Sequence, residues 1–91
     1  MTKLYLFVKE DCRPCYMVKR QLERVDNWEQ YVTIVPVQGK ELPELCYEYG
    51  VDRAPTLVAV KPDETFAKFT APSKMTKTFW EKLLTKIREE E

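Results

Sequence analysis

Ninety-one residues fit one domain and no more. Fifteen Lys+Arg balance fifteen Asp+Glu, and the parts either side of Leu45 each balance on their own, so nothing steers the chain toward nucleic acid or an anionic membrane. Histidine is absent, which removes Ser-His and Cys-His nucleophile pairs, histidine general bases and histidine metal ligands together.

In chain order, the first element is Leu4 to Val8, an apolar run suited to a buried strand. It is too short for a secretory signal and far below the ~20 residues of a membrane helix. A cytoplasmic protein with no membrane partner is expected. Three cysteines, an odd count, agree with that, since they do not form a fully paired disulfide framework. A helix follows from about Arg13, with Cys15, Val18, Leu22 and Val25 spaced along one face. Tyr31 to Val37 is rich in β-branched residues and reads as a second strand, limited by Pro36 and Gly39. Leu42, Leu45, Cys46 and Tyr49 mark a short second helix, closed by Gly50. Thr56 to Val60 and Phe66 to Thr70 are strands three and four, joined as an antiparallel hairpin by Pro62-Asp63-Glu64. A last helix enters near Thr76 and carries Phe79, Trp80, Leu83, Leu84 and Ile87 inward, ending in the solvated Arg88-Glu89-Glu90-Glu91. The order βαβ, α, ββα predicts an α/β fold in a single domain, 1–91. Its four-stranded mixed sheet has helices on both faces.

Cys12-Arg13-Pro14-Cys15 sits where the first strand hands over to the first helix. A helix N-terminus carries about half a positive charge and several unpaired N–H groups, which stabilise a thiolate. Cys12 lies at that end, exposed, whereas Cys15 lies one turn further in on the apolar face. Arg13 adds a cation and Asp11 opposes it. Pro14 suits the first turn, where a missing N–H costs little. Two cysteines at this spacing reach disulfide geometry and relax again as a dithiol, the arrangement for reversible exchange. A Cys12 thiolate attacks a substrate disulfide, Cys15 resolves the mixed disulfide, and a second reductant regenerates the pair. No metal or organic cofactor is needed beyond the redox-active Cys12–Cys15 disulfide itself. Half a zinc site is the competing reading, but only Cys46 is left among the thiols and four ligands are normally required. Cys46 is expected in the core as a small hydrophobe, and Trp28 and Trp80 are expected to pack. Lys9 and Arg53 flank the site as a local positive rim.

Ala54-Pro55-Thr56 places a proline at the start of the third strand. In a βαβ unit of this length that start faces the end of the first strand, which brings Pro55 against the cysteine pair. An ordinary trans proline opening a strand and a cis proline that frees the Ala54 backbone for substrate both fit the residues.

With both motifs in view, nearly the whole chain resembles the thioredoxin/glutaredoxin superfamily. The resemblance implies Cys12 as exposed nucleophile, Cys15 as resolving thiol, and Pro55 as a cis proline shaping the substrate groove. Lys9, Arg13, Pro14, Tyr16, Ala54 and Thr56 complete the expected substrate-contacting set. Signals for the branch divide. Lys9, three residues before Cys12, resembles the glutaredoxin lysine that meets a glutathione carboxylate, whereas Cys-x-Pro-Cys is the thioredoxin pattern. Against thioredoxin, its usual tryptophan before the first cysteine is Asp11 and its buried aspartate is Leu6. Against glutaredoxin, the Gly-Gly and aspartate that hold glutathione are missing near Thr70-Ala71-Pro72-Ser73-Lys74. The pattern also resembles small hybrid redoxins, some phage-encoded, that serve ribonucleotide reductase. The expected protein is a monomer that reduces protein disulfides, ribonucleotide reductase among them. Thioredoxin reductase is favoured over glutathione as reductant. A redox-inactive module that binds a protein partner is the alternative from another class.

Overall fold

Alternation along the first strand decides both faces of the sheet. In the computed structural model, which describes residues 2–37 and 43–90, this strand is β1, Lys3–Val8. Leu4 and Leu6 turn to one face and Phe7 to the other, all three excluded from solvent. β2 (Val32–Pro36) pairs parallel to β1, while β3 (Thr56–Val60) pairs antiparallel on its other side. β4 (Phe66–Phe69) adds antiparallel to β3, giving the order β2-β1-β3-β4. This is a mixed four-stranded α/β sheet with one parallel pair.

Helices cover both faces. On the Leu4–Leu6 face, Val18 and Leu22 of α1 (Arg13–Glu23) meet Trp80, Leu84 and Ile87 of α3 (Lys77–Glu89). On the other face, Cys46 of α2 (Glu44–Tyr49) packs with Phe7, Val35, Val51 and Val58. Each fully buried aliphatic side chain contributes about 1.5–3 kcal/mol, so two small clusters share the stabilisation of a small domain. Trp80 is fully buried, and Trp28 is half-buried against the same cluster, so both tryptophans pack as expected. No helix among the described residues is long and apolar enough to cross a membrane.

Element boundaries follow local chemistry. Thr76 caps α3, its Oγ1 accepting the Phe79 N–H at 3.3 Å. Gly50 closes α2 at φ +63°, and the Val51 N–H returns to the Cys46 carbonyl at 2.8 Å. A Cβ there forces a left-handed conformation that costs about 1–2 kcal/mol, so Gly50→Ala is expected to lower unfolding free energy by that amount in urea titration. Leu42 and Gly39, assigned from sequence to the second helix and to the end of the second strand, lie outside the described residues.

Two strands are shorter than their composition predicts. Tyr31 ends a 3-10 turn over Trp28–Gln30 and stays outside β2, while the Val37 N–H still donates to the Val8 carbonyl at 2.7 Å. β4 stops at Phe69 rather than Thr70, and no residue of it is buried. The β3–β4 turn is held by Asp63, whose Oδ1 accepts the Thr65 hydroxyl at 2.6 Å and the Thr65 N–H at 3.0 Å. These two bonds hold the Asp63 carboxyl below its ordinary value. A depressed carboxyl stabilises the folded state above the unfolded pKa near 4 and loses that contribution as pH falls through the folded value.

Candidate active site

Cys12 caps α1 with extended backbone angles (φ −112°, ψ 104°), as a helix N-cap requires. Its Sγ accepts the Cys15 N–H at 3.2 Å, and the Tyr16 N–H closes the first helical turn on the Cys12 carbonyl at 3.1 Å. Pro14 occupies the first turn, where no N–H is missed, and that turn holds no acidic residue. A Cys12 thiolate accepts the same N–H at the positive end of the helix dipole. Cys15 faces inward at 2% exposure, with its Cα 5.2 Å from that of Cys12, and the two form a disulfide. The Lys9 N–H donates to Cys15 Sγ at 3.5 Å. The pair therefore presents one accessible sulfur, half-buried Cys12, and one shielded behind it.

Register brings the proline loop to this sulfur. Phe7 near the end of β1 pairs with Thr56 at the start of β3, so the residues before Thr56 lie beside the loop leading to Cys12. The Ala54–Pro55 bond is cis, and the Ala54 carbonyl oxygen stands 3.9 Å from Cys12 Sγ. Pro55 is buried and Ala54 half-buried. Thr56 is 1% exposed, with Oγ1 donating to the Arg53 carbonyl at 2.7 Å. Its side chain braces the loop and is shut off from any substrate. Arg53 is exposed and pairs with Asp52 at 3.5 Å, which offsets its share of a positive rim.

On the other side of Cys12 lies an open cavity of about 720 Å³. Of the residues expected to contact substrate, Lys9, Arg13 and Tyr16 line it together with both cysteines. Pro14 is exposed but outside its walls, and Ala54, Pro55 and Thr56 belong to the opposite flank. Val8, Glu10, Asp11, Lys19, Ile34 and Pro36, none of them expected from sequence to contact substrate, complete the cavity. Lys19 stands one helical turn beyond Tyr16, and Ile34 and Pro36 pair with Leu6 and Val8. Both spacings were available once a parallel β1–β2 pair was assumed.

Cys46 is buried at 2% exposure, and desolvation pushes its thiol above the ordinary value. It carries less thiolate and offers no access. In native, reduced protein Ellman's reagent is expected to consume Cys12 quickly and Cys46 only after denaturant is added. Fast labelling of Cys46 in the native state would contradict its core placement. Among the described residues no three His, Cys, Asp or Glu side chains gather to hold a metal.

The thioredoxin family model matches residues 2–84, spanning every strand and the cysteine pair. The chain belongs to the thioredoxin family. With its Cys12–Cys15 disulfide, this thioredoxin-family protein is a thiol–disulfide oxidoreductase. Solved structures share the fold at low sequence identity. Deadhead, a germline-specific thioredoxin of Drosophila melanogaster, superposes with TM-score 0.63 at 16% identity, over 93% of this chain and 79% of its own. Fasciola hepatica thioredoxin gives TM-score 0.64 at 20% identity, with the same two coverages, 93% and 79%. Chlamydomonas reinhardtii thioredoxin f2 gives 0.61 at 24% identity, over 99% of this chain and 79% of its own. Comparison of the sequence with curated proteins gives no match.

Proposed function

We propose that this protein reduces disulfides in protein substrates, with Cys12 attacking and Cys15 resolving, and that thioredoxin reductase rather than glutathione restores the dithiol. The observation that carries the reading is the asymmetry of the pair. Cys12 Sγ holds an N–H at the helix terminus and stands 3.9 Å from the Ala54 carbonyl, while Cys15 is sealed behind it. The Cys12 thiolate attacks one sulfur of the substrate and expels the other as a thiolate. Cys15 then loses its proton and attacks Cys12 Sγ, forming Cys12–Cys15 and releasing the second substrate thiolate. Two electrons pass to the substrate, whose two thiolates take up protons, one given up by Cys15 and one from solvent. An extended substrate chain lies along Ala54 and Pro55, with Arg13, Pro14 and Tyr16 at its edge.

The missing Gly-Gly and aspartate support the choice of reductant. The 3-10 turn Pro72–Lys74 stands at that place in the chain, with no glycine to admit a ligand against the backbone. Lys9, which lines the cavity beside Cys12, favours glutathione as the second reading. Ribonucleotide reductase, served by the small redoxins that this sequence resembles, is the first protein substrate to try. The proposed setting is a reducing compartment, with the protein acting as a monomer.

The test is NADPH consumption with insulin as substrate, coupled through thioredoxin reductase in one arm and through glutathione with glutathione reductase in the other. Turnover in the first arm alone supports the reading. Turnover only with glutathione overturns the choice of reductant, and turnover in neither arm favours a redox-inactive binding module.

A further inference from the structure

The cysteine pair divides its surroundings in two. The Ala54–Pro55 backbone lies on one side, and the cavity between α1 and the edge strand β2 lies on the other, where only its rim residues Arg13 and Tyr16 have been given a part in holding protein substrate. Its size, about 720 Å³, falls within the ~300–1,000 Å³ of sites that enclose a small ligand or a few side chains. Val8, Ile34, Pro36 and the Tyr16 ring make its apolar lining.

Charge around it is uneven. Lys9, Arg13 and Lys19 line the cavity against Glu10 and Asp11. Arg20 adds a further cation, donating from Nη1 to the Tyr16 hydroxyl at 2.8 Å with its guanidinium 5.6 Å from the ring centroid. That contact also holds Tyr16, 57% exposed, as a wall of the cavity. The only acid of α1 is Glu23, its last residue. Lys19 is half-buried, its stem covering part of the cavity wall while its charge stays at the rim with those of exposed Lys9 and Arg13. A chain that is neutral overall thus carries a local cationic excess beside its accessible sulfur.

A protein disulfide brings two chain segments to Cys12. One lies across Ala54 when its half-cystine is attacked, and residues flanking the other half reach the far side of Cys12. We propose that the α1–β2 cavity is a second substrate subsite, which takes an apolar side chain with a carboxylate beside it. The protein then favours disulfides flanked by acidic residues. This rests on the reductase reading above and adds the chemistry by which substrates are chosen.

Two synthetic peptides test it, each with one intramolecular disulfide, alike except for Glu-Leu or Lys-Leu beside one half-cystine. Excess peptide is mixed with the dithiol protein, and the second-order rate of Cys12–Cys15 oxidation is read without any external reductant. Exposed charge pairs of this kind imply a preference of about fivefold for the Glu-Leu peptide at low salt. At about 1 M salt the two rates converge. Lys19→Gln narrows the preference and Lys19→Glu abolishes it, with far-UV circular dichroism confirming that both variants fold. Equal wild-type rates at low salt, or a preference unchanged in both Lys19 variants, would overturn the subsite while leaving the reductase reading intact. Failure to oxidise the pair with either peptide, or with insulin, overturns the reductase reading and the subsite with it.

Discussion

Replacing Cys12 with serine is expected to abolish disulfide reduction while leaving the fold intact. Serine is among the preferred N-cap residues, and its hydroxyl accepts the N–H that Cys15 now donates to Cys12 Sγ at 3.2 Å. The α1 terminus therefore keeps its cap, and urea unfolding should move by no more than about 1 kcal/mol relative to the reduced wild type. What disappears is the nucleophile, because a neutral hydroxyl does not attack a disulfide sulfur and a thiolate does. Cys46 offers no substitute at 2% exposure on the opposite face of the sheet. Insulin reduction coupled to NADPH checks this, and wild-type turnover by Cys12→Ser would remove Cys12 from the reaction.

Replacing Cys15 with serine should stop the reaction one step later. Cys12 remains at the helix terminus and still attacks, but nothing attacks the mixed disulfide in return. One substrate chain per protein is expected to stay covalently attached, visible by non-reducing electrophoresis and released by dithiothreitol. The hydroxyl can accept the Lys9 N–H that now reaches Cys15 Sγ at 3.5 Å, so the buried polar group finds a partner. Repeated turnover of Cys15→Ser with glutathione, without an adduct, would point to glutathione as the resolving thiol. Cys12→Ser thus tests the attack, and Cys15→Ser tests the resolution that follows it.

Much of the fold was legible because period and chain order were unambiguous. Leu4, Leu6 and Phe7 alternate as a two-faced strand must, and Cys15, Val18 and Leu22 recur at helical spacing. From βαβ order alone the end of β1 meets the start of β3, and the Phe7–Thr56 pair makes that contact. Cys12 and Pro55 were therefore readable as neighbours before any coordinate. The edges were less legible. Phe66 to Thr70 has the composition of a half-buried strand, yet β4 is an edge with Phe66 and Phe69 still 45% and 43% exposed. Their rings meet those of Tyr49 and Phe79, at centroid distances of 5.0 and 6.2 Å. Composition records a preference for extended backbone, whereas burial depends on what packs above it.

The cavity was hidden for a related reason. Lys19 reads as one more solvated lysine on a helix, and Ile34 as an ordinary strand residue. Their joint meaning exists only after α1 crosses the parallel β1–β2 pair. Thr56 shows the reverse case, a residue placed in the groove by its motif whose side chain turns inward to brace Arg53. Asp11 stands at φ +54° directly before Cys12, a left-handed turn that no residue pattern in the β1–α1 junction announced.

The most direct measurement of the central claim is a thiol count before and after one turnover. The reduced chain holds three thiols, Cys12, Cys15 and Cys46. Mixed with excess insulin in the absence of any other reductant, then denatured and alkylated, each chain should retain only the Cys46 thiol and carry a Cys12–Cys15 disulfide. Insulin should gain a matching number of thiols. A chain that still holds all three thiols, with insulin unreduced, would contradict the assignment of this pair as the electron carrier.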